Sequence, residues 1–223
     1  MARIKPHIRQ RLEALGRERA VLYKTLLLTG LRKSELASIT IGQACLDGPL
    51  PHVVLEAPDE KNREGGELPL RLDLAADLRA IVAERLATIR ADAMRRDEPV
   101  PSQLPSDMKL LNVPTGLIRI MDRDLVAAGI ARIEVRGGRK VVVKRDARGR
   151  TVDVHALRTS FGTHLSKAGV PLRTAQAAMR HSKPELTASC YTDPVLLDVA
   201  GAIEMLPKLS LGQVDAPRSR KSA

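Results

Sequence analysis

Three aromatic side chains, Tyr23, Phe161 and Tyr191, are all that 223 residues contain, and tryptophan is missing altogether. With so few rings in the chain, Tyr191 cannot be set aside as one of many core aromatics. Cysteine is almost as scarce. Cys45 and Cys190 stand far apart and match no metal-ligand spacing, which points to free thiols in a reducing compartment rather than a disulfide. No apolar run approaches the roughly 18 residues of a membrane span, and residues 1 to 10 alternate basic and apolar side chains without a signal-peptide core. These absences favour a soluble, intracellular protein. No His-Glu-x-x-His pair is present either, so a zinc site built from His155, His164 and His181 lacks its usual frame, and no metal or other cofactor is expected.

What the chain does have is positive charge and enough apolar content for a core. A formal net charge of +11 draws it toward polyanions, with nucleic acid and acidic membranes as first candidates, and 43% hydrophobic residues suffice for one ordinary domain. Apolar spacing predicts a helix over Ile8 to Thr29 stopped by Gly30, with Arg32 just beyond it and Lys33-Ser34-Glu35-Leu36 opening another. Three short β segments follow, Ile39-Gln43, His52-Ala57 and Glu67-Arg71, predicted to form a small antiparallel sheet. Helices are then expected over Leu74-Ala93, Leu117-Ala128, Ala156-Ala168 and Leu172-Arg180, and further ones around Pro184-Tyr191 and Pro194-Leu206. Between them, Arg136-Gly137-Gly138-Arg139 reads as a hairpin turn and Ala147-Arg148-Gly149-Arg150 as a second. That basic insert suits either contact with DNA or plain solvation. After Pro207 the periodicity fails, and residues 208 to 223 are expected to be a basic, disordered tail.

The residues that carry chemistry lie at both ends of the chain. His155 and Arg158 are three apart at a helix start, a spacing that turns both toward one place. Arginine suits phosphate because its planar fork donates two parallel hydrogen bonds and stays charged at any working pH. Arg32 offers a second fork, and such donors stabilise the charge that spreads over nonbridging oxygens in a transition state by about 3 kcal/mol each. Tyr191, a phenol with an ordinary pKa of about 10, needs an acceptor for its proton before it can attack, and His155 can be that acceptor. Lys61, on the approach to a turn, has the reach to protonate a leaving alkoxide. Taken one at a time, each reads as plainly structural: Arg32 as a helix-end charge, Lys61 as a turn lysine, and His7, His52 and His164 as surface or packing residues.

Together these residues resemble the catalytic domain of the tyrosine recombinases, also called phage integrases. The blocks that match, in order, are Thr29-Gly30-Leu31-Arg32-Lys33-Ser34-Glu35-Leu36, then Lys61 ahead of Pro69-Leu70, then His155-Ala156-Leu157-Arg158 with Thr163-His164-Leu165, and finally His181-Ser182 leading to Tyr191-Thr192. The resemblance implies a mainly α fold with a small three-stranded antiparallel sheet, filling residues 1 to 207. It implies that Arg32, Arg158 and His181 hold the scissile phosphate, Lys61 is the acid for the 5′-oxygen, His155 assists proton transfer and Tyr191 forms a 3′-phosphotyrosyl bond. Glu35 would orient Arg32. Double-stranded DNA is the implied partner, with a homotetramer assembling on it in a prokaryotic, nucleoid-associated cytoplasmic setting and no membrane. Two departures stand out: Arg180 replaces the glycine common before His181, and Tyr191 follows His181 by ten residues, one more than the family's usual step. With about 28 residues ahead of the first block, the N-terminal DNA-clamping domain is expected to be absent. Type IB topoisomerase chemistry and a DNA-binding module without catalysis are the competing readings.

Overall fold

The computed structural model describes residues 4–59, 65–191 and 198–207. It is mostly helical, as the sequence predicts. Helix α1 runs Pro6–Thr29, with proline in its first turn, where the missing N–H costs nothing. Gly30 ends it in the left-handed region (φ 63°), its N–H donating to Leu26 O at 3.1 Å. Only the second half of α1 is buried, through Leu22, Thr25, Leu26 and Thr29, whereas Leu12 and Leu15 of the same apolar series are exposed. Periodicity marks which face of a helix is apolar; whether another element covers that face is decided by the tertiary fold.

Helix α2 (Lys33–Ser38) leads to the sheet, which orders β1 (Ala44–Cys45), β2 (His52–Leu55) and β3 (Gly66–Pro69) antiparallel in sequence order. Val53 pairs with both Ala44 and Leu68, so β2 is central. The first strand differs from the predicted Ile39-Gln43. The Gln43 side chain accepts the Thr40 N–H at 2.7 Å and tightens Ile41–Gln43 into a 3-10 turn. Ile41 and Gly42 then donate to Met108 O and Ser106 O, so the backbone bonds intended for β2 go to a distant loop. The other two strands sit within two residues of their predicted ends.

Helix α3 (Leu72–Arg95) packs Leu74, Ala75 and Leu78 against α1 and the sheet, and these join Leu22, Leu26, Leu36, Val53 and Leu68 in the main core. Helix α4 (Leu117–Ala127) contributes Met121 and Leu125 to a smaller cluster. The basic insert forms a hairpin of β4 (Arg132–Arg136) and β5 (Arg139–Val143), turned by Gly137 and Gly138, both at positive φ. It is exposed, and Glu134 ion-pairs with Arg132 and Arg136. The second turn is closed by an Arg145–Thr151 bridge, with the Asp146 carboxylate accepting the Arg148 and Arg150 amides at 2.9 Å each.

Three helices complete the site-bearing half: α5 (Val154–Lys167), α6 (Leu172–Met179) and α7 (Pro184–Tyr191). Helix α5 packs on α1, α6 and α7. A short α8 (Val199–Glu204) falls inside the predicted Pro194-Leu206 helix, whose first residues lie outside the described set, as does the predicted tail at 208–223. Cys45 is an exposed free thiol; the Cys190 side chain is outside the described residues. Among the described residues, no helix is long and apolar enough to cross a membrane.

Candidate active site

The left-handed turn at Gly30 reverses the chain at the end of α1 and delivers Arg32 as the residue capping α2. Three residues on, Glu35 is 1% exposed, and its carboxylate accepts the Arg32 amide at 2.9 Å. This is the half of a capping box in which an acidic side chain satisfies an orphan helix donor. The same carboxylate takes Arg32 Nη1 at 2.5 Å on Oε1 and Arg180 Nη2 at 2.8 Å on Oε2. Burial by itself pushes the Glu35 carboxyl up. The bonds from Arg32 and the charges of Arg180 and Arg32 overcome it and hold the group below the usual carboxylate range.

Helix α5 is capped by Asp153, whose Oδ1 accepts the Ala156 amide at 2.8 Å. This fixes the first turn, with His155 exposed and Arg158 4% exposed. The Arg158 guanidinium donates through Nη1 to Gly30 O and through Nη2 to Met179 O. Both carbonyls belong to helix C-terminal ends, which lack intrahelical partners and carry partial negative charge. One guanidinium thus joins the ends of α1 and α6 beneath the site.

His181 follows the end of α6. Its amide donates to Gln176 O at 3.1 Å, and Gln176 Nε2 returns a bond to His181 O at 3.0 Å. Its ring Nδ1 shares a hydrogen bond of 3.0 Å with the hydroxyl of Thr187, a fully buried residue of α7. Burial first, and then the charges of Arg158, Arg32, Arg180 and His155, lower the His181 pKa from 6.5 to about 4. The ring is therefore neutral at neutral pH. Contacts tie the cluster together: Arg158 bonds to Met179 O, Arg180 bonds to Glu35, and Arg32, His155 and Arg158 line one cleft.

Open space lies on both sides. A cleft of about 480 Å³ runs between β3 and α6, lined by Gly65, Gly66, Glu67, Arg173, Arg180 and His181. A second, of about 350 Å³, is lined by Arg32, Lys33, Lys144, Asp153, His155 and Arg158. Fixed cationic donors beside open space suit an anionic ligand such as a phosphodiester. Among the described residues, no group of three or more His, Cys, Asp or Glu side chains is placed to hold a metal ion.

Of the residues singled out from the sequence, Arg32, Glu35, His155, Arg158 and His181 come together here. Lys61 lies outside the described residues; Gly65, four positions later, lines the first cleft. Tyr191 is the last residue of α7, the helix that carries Thr187, and its side chain is outside the described set. His164, read as surface or packing, is exposed and lines a separate cleft with His155 and Thr163. Sequence reasoning missed Thr187 as the partner of His181, and a lone threonine six residues away gives no signal. Arg180, marked in the sequence only as a departure from the family's glycine, turns its side chain inward onto Glu35.

The chain belongs to the phage integrase family, which matches residues 7–195. Among solved structures it is similar to XerA recombinase, at 19% identity and a TM-score of 0.55 over 92% of this chain and 62% of that one. The XerH site-specific recombinase, in a post-cleavage complex with palindromic difH substrate, gives 19% identity and a TM-score of 0.54, covering 91% of this chain and 48% of its own. The Tn1549 transposon integrase, solved with transposon right end DNA, gives 18% and 0.51, with 78% and 54% covered. At these identities the likeness is one of fold, and the chain spans about half to three-fifths of those proteins' lengths. No curated protein matches the chain.

Proposed function

We propose that residues 1 to 207 form the catalytic domain of a site-specific DNA recombinase or integrase, which cleaves and rejoins strands through a 3′-phosphotyrosyl intermediate. The observation that carries this reading is that Arg32, His155 and Arg158, drawn from both ends of the sequence, line one cleft, while Arg158 bonds to Met179 O two residues before His181 and His181 bonds to Thr187 of the helix that ends on Tyr191. In this reading Arg32, Arg158 and His181 donate to the nonbridging oxygens of one phosphate, where charge grows in the transition state. His181 enters as a neutral donor, its Nδ1 engaged by Thr187. Tyr191 Oη attacks phosphorus as His155 takes the phenol proton; the phosphorus–5′-oxygen bond breaks, and Lys61 protonates the departing oxygen. Reversal with a different 5′-hydroxyl rejoins the strand. Arg32, Arg158 and Lys61 supply the positive charge that a metal supplies elsewhere.

Duplex DNA is the proposed partner, supported by the net charge of +11 and by the DNA named in the XerH and Tn1549 structures. Assembly as a tetramer on that DNA belongs to the same proposal. The test is a pool of nicked suicide duplexes with randomised sequence, incubated in excess chelator. A covalent protein–DNA band is expected from the parent and none from Tyr191→Phe, with noncovalent affinity similar in both. A band retained by Tyr191→Phe would overturn the nucleophile, and a band that needs added magnesium would overturn the mechanism.

A further inference from the structure

At the corner between α6 and α7, Arg180 adopts φ 52° and ψ 46°, a left-handed conformation. Glycine enters that region freely, while a residue with a Cβ does so only under strain. The arginine that occupies this strained position has a fixed partner for its side chain. That side chain is 13% exposed and reaches across to Glu35 Oε2, on an element 145 residues away in sequence.

Glu35 is the fixed point of the arrangement. Its Oε1 accepts Arg32 Nη1, and its Oε2 accepts both the Arg32 amide and Arg180 Nη2. Without Arg180, Glu35 would be held from one side only, by the short helix that also carries Arg32. With it, the carboxylate is tied to the corner whose next residue is His181. The charges matter as well. A single carboxylate facing a single guanidinium neutralises it, whereas Glu35 shared between two cations leaves the group with a net positive charge and leaves most of the Arg32 donors for another anion.

We propose that Arg180 is a positioning residue: by anchoring Glu35 it fixes the Arg32 guanidinium and sets its distance from His181. The role rests on the reading of Arg32 and His181 as ligands of the scissile phosphate. Arg180 acts through Glu35 and does not itself hold DNA.

The experiment is a double-mutant cycle read by single-turnover cleavage of a nicked duplex, with noncovalent affinity measured across salt in parallel. Misplacing a reacting or binding group by about 1 Å costs on the order of 10²-fold in rate. Arg180→Ala is therefore expected to slow cleavage by about 10- to 100-fold while affinity and its salt slope stay those of the parent. Arg180→Lys should recover part of the loss. In a Glu35→Gln background, Arg180→Ala should add little, because the anchor it served is gone. Arg180→Gly removes the backbone strain and so keeps the fold testable, and it should be as slow as Arg180→Ala. Parent-like cleavage by Arg180→Ala or Arg180→Gly overturns the role, as do losses that multiply in the double variant. A salt slope reduced by about 0.9 also overturns it, since that is the signature of one lost phosphate contact. If the parent itself forms no covalent complex on any duplex, the recombinase reading falls and takes this role with it; a cleaving parent with an unaffected Arg180→Ala removes the role alone.

Discussion

Gly30 and Phe161 meet across the junction of α1 and α5, so closely that a Cβ on Gly30 would lie 2.5 Å from Phe161 Cδ1. The glycine is thus required twice, by its positive φ and by the ring against it. Gly30→Ala is expected to lower stability by about 2 kcal/mol, from left-handed strain and the forced shift of the ring. Urea denaturation checks this, and a Gly30→Ala/Phe161→Leu pair should recover the steric share while leaving the backbone share.

Arg158 is expected to affect stability as well as chemistry. Its two carbonyl partners, Gly30 O and Met179 O, would lose a buried donor in Arg158→Ala. Each unsatisfied buried group costs about 1–3 kcal/mol, so a loss on the order of 3 kcal/mol is expected beside a cleavage loss of about 10²-fold or more. Denaturation midpoints measured with cleavage rates check it. An Arg158→Ala chain as stable as the parent would show that the two carbonyls find other donors.

The His181 ring should leave its mark on acid stability. Its pKa falls from 6.5 to about 4 on folding, through burial and then the neighbouring arginines and His155. Between those two values the unfolded chain binds a proton that the folded chain does not, so acidification through this window favours unfolding. Above about pH 6.5 both states are neutral and the contribution is flat. The parent Tm should therefore drop more steeply from pH 6.5 to 4 than that of His181→Asn, with parallel curves at higher pH. Parallel curves throughout would mean that the ring titrates normally.

Lys61→Ala should lose cleavage of ordinary DNA and regain it on a duplex whose bridging 5′-oxygen is sulfur. A thiolate leaves without needing a proton, so the acid becomes dispensable. Rates of both variants on both substrates decide it, and failure of the sulfur substrate to rescue would assign the acid elsewhere.

How far the sequence reveals this molecule depends on how local each signal is. Gly30 as a helix stop, the Gly137-Gly138 turn and the span of α7 are set by residues within a few positions, and they appear in the structure where the sequence puts them. The first strand is displaced because the partners of Ile41 and Gly42 are Met108 O and Ser106 O, more than sixty residues on, which no local pattern announces. The site shows the same division. Arg32, His155, Arg158 and His181 are legible as residue types in order. The Arg180–Glu35 ion pair and the His181–Thr187 bond depend on how α6 and α7 dock, and neither has a periodic signature.

The carbonyl lock under Arg158 bears on when the chain becomes active during its own synthesis. Arg158 leaves the ribosome 128 residues after Gly30, and Met179 follows after another 21. Until α6 has emerged, the guanidinium has at most one of its two helix ends, and His181 has yet to be added. Contacts of such long sequence separation close late, since the chain entropy they remove is large. On the proposed reading, a nascent chain that displays Arg32 and its basic hairpin has cationic surface for DNA before it has a complete site, and strand cleavage waits for the segment that also brings Tyr191.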